Sequence, residues 1–235
     1  MLNNFSEKFY KWANGWLVLI FIALDMFFAG FVMPMMGALM KSGTGLEQPL
    51  DLMAFAPPEE IFAMIELYGD ANRMFYRRVE LTADIMYPIV YTFAFGLLIS
   101  WLFKRGFNKN NSMRKYNVIP LFAFVFDILE NLNIVTLLSI FPSQPIILGW
   151  TLFIFTAVKW LFAGLCIILI LLGLVMAIKI NLKCKINLGR DMASPYPYIF
   201  NHHTPVHSGK ITQLFFITLS PNSSPKKKRE SSSAS

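Results

Sequence analysis

The sequence has few cysteines, few charges and none of the motifs of a soluble catalytic domain. Cys166 and Cys184, its only cysteines, lie in or just after the last apolar segment, where neither can staple an outer loop. There is no glycine-rich phosphate loop, catalytic serine elbow, zinc spacing or internal repeat. These absences argue against nucleotide-binding, serine-hydrolase and zinc-binding classes, and we expect no cofactor and no metal.

Apolar sequence is what the chain has in abundance. Of 235 residues, 55% are hydrophobic and 15% charged, too apolar a balance for an ordinary soluble domain. About 20 apolar residues in a helix cross a bilayer, and the absence of period-two alternation argues against a barrel. The sequence therefore predicts an all-α integral membrane protein, a bundle of four transmembrane helices over about 16–40, 85–103, 116–141 and 146–180.

The rest of the chain is organised around this domain, which we place at 16–186. Residues 1–15 are expected to be a cytosolic N-terminus, and the first span is expected to remain rather than to be cleaved as a signal peptide. The outer connection, 57–84, is expected to hold an extra helix that begins at Pro57-Pro58. Asp70 is expected to cap a second helix that runs unbroken into span two.

Lys and Arg residues fix the predicted orientation. The loop between spans two and three is basic and has no acid, whereas the connection between spans one and two is rich in acids. The positive-inside rule then places both termini in the cytoplasm, in a membrane that the sequence does not identify. The net charge of +7 reflects this asymmetry, so no nucleic-acid partner is expected.

The last part of the chain, 187–235, is rich in serine, proline and basic residues. Such a composition predicts a disordered cytosolic tail, because it cannot bury enough apolar surface to become ordered. Beyond the lipid bilayer itself, anionic lipid headgroups are the predicted partner of its basic run, Lys226, Lys227, Lys228 and Arg229.

Ionisable residues inside the apolar segments are the main functional signal. An ionisable group at the centre of a membrane helix costs roughly 2.5–3.5 kcal/mol, so it is a functional-site hypothesis by default. The predicted ligand or proton site consists of Asp25, Asp84, Tyr87, Tyr91, Asp127, Glu130, Asn131 and Lys159. Arg77 and Glu80 are predicted to form an outer gate, and Asp127 and Glu130 are the candidates for a catalytic role.

Spacing and depth predict how these residues are arranged. Arg77, Glu80, Asp84, Tyr87 and Tyr91 recur at intervals of three and four, which places them on one helix face. At 1.5 Å per residue, the carboxyls of the first and third spans lie about 14–15 Å from the cytosolic side. The same count places Asp84 and the lysine of span four about 29 Å up, at the outer boundary, as a salt bridge or as part of a ligand site. An outward-facing cavity that ends near mid-bilayer is the predicted consequence.

The charges of this cluster do not balance, since four carboxylates face one lysine. Three resolutions are open: some carboxyls are protonated, arginines of the outer helix fold inward, or a cation binds. The leading hypothesis is a cavity that binds a small cationic or amphiphilic ligand, or carries protons with it. The alternatives are an intramembrane enzyme that uses paired carboxylates as general acid and base, and a structural subunit whose polar seam packs against a partner.

Overall fold

The computed structural model describes residues 2–40 and 48–192, and within these ranges the regular structure is entirely helical. The α-helices are α1 Leu2–Trp12, α2 Gly15–Phe27, α3 Met33–Met40, α4 Pro58–Leu67, α5 Gly69–Glu80, α6 Ala83–Gly106, α7 Ile119–Ile140 and α8 Ile146–Met192. A π-helical turn, Phe28–Val32, joins α2 to α3, and 3-10 turns form at Leu50–Leu52 and Ser112–Val118.

Four of the described helical stretches are long and apolar enough to cross a membrane. They are Gly15–Met40, Gly69–Gly106, Ser112–Ile140 and Ile146–Lys183. The prediction of an all-α chain with four such helices is therefore confirmed. The predicted tail from 193 onward, including its basic run, lies outside the described residues.

Proline and asparagine mark several helix starts. Pro58 and Pro120 occupy first-turn positions, where a missing N–H breaks no helical hydrogen bond. The Asn14 side chain accepts a hydrogen bond from the Leu17 N–H at 2.8 Å and so caps α2. The last helix continues to Met192, so residues 187–192, predicted to belong to the disordered tail, are helical.

The second spanning stretch is not one unbroken helix, contrary to the prediction. Leu81 and Thr82 form a turn between α5 and α6. The Thr82 hydroxyl donates to the Arg78 carbonyl at 2.7 Å, and such local side-chain bonds compete with a regular helix. The predicted cap is also wrong, because Asp70 lies inside α5 and forms an ion pair with Arg73.

Helix α6 is the central element of the described chain, and it packs against α1, α2, α7 and α8. Helix α1 was not predicted. It is held by buried polar bonds: Ser6 Oγ donates to Asn117 Oδ1 at 2.7 Å, and Asn117 Nδ2 donates to Ser100 Oγ at 2.9 Å. The Phe9 ring lies over Gly96, where any Cβ would come within about 3 Å of it. These contacts anchor α1 at the Gly106 end of the bundle.

Candidate functional site

One large cavity, about 1030 Å³, lies among the spanning helices. Its walls come from the helix Gly15–Met40, from α5 and α6, from α7, from α8 and from residues 48–52. Most of the lining is apolar, with methionine prominent on α3. The polar side chains that line it are Gln48, Asp51, Tyr76, Asp84, Tyr87, Tyr91, Asp127, Asn131 and Lys159.

A buried ion-pair cluster forms part of the wall. The Nζ of Lys159 lies 3.8 Å from Asp127 Oδ1 and forms a closer ion pair with the Glu130 carboxylate. Glu130 is fully buried, and the Thr156 hydroxyl donates to its Oε1 at 2.6 Å. Asp127 and Lys159 are each 8% exposed and border the cavity, so Glu130 lies behind them, out of contact with a ligand.

Hydrogen bonds between α6 and α7 order the rest of the wall. The Tyr91 hydroxyl donates to Asp127 Oδ2 at 2.8 Å, and Asn131 Nδ2 donates to the backbone carbonyl of Asp84 at 2.6 Å. The Tyr87 ring is nearly parallel to Phe28, with centroids 6.0 Å apart. The side-chain carboxylate of Asp84 borders the cavity, and no salt bridge to it occurs among the described residues.

The predicted height of Lys159 was wrong. Counting from Ile178 placed it about 29 Å from the cytosolic side, level with Asp84 rather than with Asp127. Its ion pairs instead place it level with Asp127 and Glu130. Ile178 lies inside α8, which runs on to Met192, so a count that starts from it does not fix the height of Lys159 relative to α7.

Besides Glu130, three of the predicted site residues do not line this cavity. Asp25 is only partly buried and is not part of the lining, and its Oδ1 has no hydrogen-bond partner among the described residues. Arg77 donates to Ser139 Oγ at 3.4 Å, near the end of α7. Glu80 is 1% exposed and borders a separate space of about 30 Å³ between α6 and α7. Neither Arg77 nor Glu80, the residues of the predicted outer gate, lines the cavity.

Sequence reasoning missed the residues that line the cavity next to the outer connection. The Tyr76 hydroxyl accepts a hydrogen bond from the Leu50 N–H at 2.8 Å and donates to Asp51 Oδ1 at 3.2 Å. Trp160 Nε1 donates to the Asp51 carbonyl at 3.4 Å. Nothing in the sequence distinguished Asp51 from the other acids of the connection. Thr156 had a usable signal, because it lies three residues before Lys159 and so shares its helix face.

The charge of the cavity stays strongly negative if its acids are ionised. Asp51, Asp84, Asp127 and Glu130 lie in or directly behind the wall, and Lys159 is the one cation that the described residues place there. The arginines of α5 do not fold inward: they bond to Asp70 and the Ile65 carbonyl, to Ser139, and to Met74. Of the three ways to balance these charges, protonation of carboxyls and binding of a cation remain.

Comparison of the chain with family models, with curated proteins and with solved structures finds no match.

Proposed function

We infer that this is a membrane protein whose cavity binds a small ligand with a cationic head and an apolar body, or carries protons with such a ligand. The observation that carries this inference is the pairing of an apolar cavity of about 1030 Å³ with acids that Lys159, the one lysine the described residues place at the cavity, does not neutralise. Ligand sites are mostly apolar clefts of roughly 300–1,000 Å³ with a few placed polar groups, and this cavity is at the upper end of that range.

The geometry indicates where the two parts of a ligand would bind. Asp84 offers a carboxylate with no salt bridge among the described residues, and Tyr87 and Tyr91 line the same wall as possible partners for a cation. Met33 and Met36, which line the cavity from α3, offer flexible apolar surface that adapts to irregular shapes. The cationic head would therefore lie against α6 and the apolar body against α3.

The proposal includes an orientation. With the basic 106–118 loop and both termini in the cytoplasm, the acidic connection and the nearby end of the cavity face outward. The proposed arrangement consists of the four predicted spans, a cytosolic N-terminus and a cytosolic C-terminal tail. Binding would then draw ligand from the outer side or from the outer half of the bilayer.

Replacement of Asp84 tests the proposal most directly. Equilibrium binding of radiolabelled dodecylamine to the purified protein in lipid nanodiscs is expected to weaken roughly 10-fold or more in Asp84→Asn, because the variant keeps the side-chain shape but loses the charge. The matched control is Glu66→Gln, an exposed acid away from the cavity, which should bind as the wild type does. Equal binding by all three proteins would exclude the cationic-ligand function.

An intramembrane enzyme is the second candidate, favoured by the hydrogen bond between Tyr91 and Asp127 at the cavity wall. A hydroxyl and a carboxylate in contact can relay a proton to a bound substrate. Glu130 would hold Lys159 instead of serving as the second acid or base, since it is fully buried. Mass spectrometry of a lipid-extract incubation distinguishes this candidate: a product that forms with the wild type and not with Asp127→Asn would favour an enzyme over a binding protein.

The third hypothesis, a seam for a partner subunit, has less support. A structural seam needs its polar side chains packed against one another or against a partner helix. Asp127 does bond to Lys159 and Tyr91 across the helices, but Asp84, Asp127 and Lys159 also border an open space, which a closed seam would not leave.

A further inference from the structure

The large cavity has an edge at the surface of the molecule, between the helix Gly15–Met40 and α8. On α8 the lining residues Trp160 and Ile167 are 45% and 49% exposed, and Gly164 is also exposed. On the other side the lining residues Ala29 and Pro34 are exposed. We call the gap between these two groups of residues the lateral opening.

Helix packing explains why the gap exists. The helix Gly15–Met40 packs on α6 and α5, whereas α8 packs on α6, α7 and α4. In the described chain, the helix Gly15–Met40 and α8 make no extensive contact with each other. A Cβ placed on Gly164 would meet nothing within 4 Å. Each flanking helix thus has its own support, and none of the side chains that the structure describes fills the space beside Gly164.

In the proposed arrangement of the helices in the membrane, the lateral opening lies at the height of the hydrocarbon layer. At 1.5 Å per residue, Trp160 is about 21 Å along α8 from Ile146, and Ile167 is about 24 Å from Lys183. A hydrocarbon layer of about 30 Å centred on this apolar stretch therefore covers both residues. The residues of the opening are themselves apolar or small, as a surface in contact with acyl chains requires.

The end of the cavity nearest the outer connection is covered instead. Residues 48–52 line it. They are held by three hydrogen bonds: the Leu50 N–H donates to the Tyr76 hydroxyl, that hydroxyl donates to the Asp51 carboxylate, and Trp160 Nε1 donates to the Asp51 carbonyl. The Tyr68 hydroxyl adds a bond of 2.5 Å to the Gln48 carbonyl. A ligand arriving from water on this side would have to displace that segment.

We propose that the ligand is a lipophilic amine already dissolved in the bilayer, and that it enters sideways through the lateral opening with its ammonium group toward Asp84. This inference rests on the proposed function and adds the ligand class and the route. A volume of about 1030 Å³ accommodates an alkyl chain or fused rings in addition to a head group. Such an amine keeps its apolar part among apolar side chains throughout entry, while its charge moves from the membrane interface to the acidic wall.

Obstruction of the lateral opening tests the route. Gly164→Trp places a large ring at the gap, and Leu161→Trp is the matched control, because Leu161 is 61% exposed on the same helix and does not line the cavity. In nanodiscs, association and dissociation of dodecylamine should both slow about 10-fold in Gly164→Trp, with little change in Kd, as expected when a path narrows and the site remains. Leu161→Trp should show wild-type rates.

Two further results make the test decisive. Gly164→Leu, a smaller obstruction, should give an intermediate slowing, and Tyr68→Phe, which loosens residues 48–52, should leave the rates unchanged. Wild-type rates in Gly164→Trp, or faster association in Tyr68→Phe, would overturn the lateral route. If binding is insensitive to Asp84→Asn, the proposed function fails; if binding needs Asp84 but Gly164→Trp has wild-type rates, only the lateral route fails.

Discussion

At the scale of residues, Lys159 is the group on which the candidate site depends. It is buried and touches two carboxylates, one at the cavity surface and one behind it. Without Lys159, an ionised Glu130 would be a buried charge that keeps, among the described residues, only the hydrogen bond from the Thr156 hydroxyl. Removal of one partner of such a pair is strongly destabilising, because the other partner is left as an unpaired buried charge.

Lys159→Met should therefore destabilise the protein strongly. Loss of one partner of a buried pair costs about 3–5 kcal/mol, and we expect a fall of that order in the free energy of unfolding, measured by denaturant titration in detergent micelles. Lys159→Met combined with Glu130→Gln should recover most of the loss, because no unpaired charge remains behind the wall. A double variant as unstable as the single one would show that the lysine acts through packing and not through charge.

At the scale of elements, the helices approach one another through glycine. A Cβ on Gly149 of α8 would lie 2.6 Å from the Pro58 Cβ, and one on Gly173 would lie 2.9 Å from the Leu102 Cβ. Glycine at these positions lets α8 pack closely on α4 and α6, while the same helix has open space at Gly164. Along α8, the closely packed positions Gly149 and Gly173 thus lie on either side of Gly164, which borders the cavity.

Gly149→Val and Gly164→Val form a matched pair that separates these two environments. Gly149→Val should destabilise by about 1–3 kcal/mol, because the overlap with Pro58 must be relieved by a shift of α4 or α8. Gly164→Val should be neutral or slightly stabilising, since valine has the higher helix propensity and meets no neighbour. Thermal unfolding of both variants in the same detergent measures the difference, and equal midpoints would contradict the packing described at Pro58.

At the scale of the whole molecule, the proposed orientation is open to a labelling test. In a background of Cys166→Ala and Cys184→Ser, Asn110→Cys and Glu66→Cys place single thiols in the basic loop and in the acidic connection. An impermeant maleimide should label Glu66→Cys from outside in intact cells and Asn110→Cys only after permeabilisation. Labelling of position 110 from outside would reverse the topology and would place the acidic connection in the cytoplasm.

Sequence reasoning succeeded where a property belongs to one segment and failed where it depends on two. The four apolar stretches and the inward-facing polar residues of α6 and α7 were predicted from composition and from spacing. Helix α1 was missed because it is short and is held by Ser6 and Phe9 against other helices. Asp51 was missed because its contacts with Tyr76 and Trp160 join distant parts of the chain.

The amino-acid sequence by itself determined that the chain is helical, that four stretches suit a membrane and that carboxyls and a lysine lie within them. Only the tertiary structure decided that Lys159 pairs with Asp127 and Glu130. It also decided that Arg77 and Glu80 are not among the residues that line the cavity, and that the first and last spanning helices are not in extensive contact in the described chain. The physical reason is that hydropathy and helix periodicity act along one segment. Ion pairs and cavities depend on the relative height and rotation of neighbouring helices, which packing between them sets.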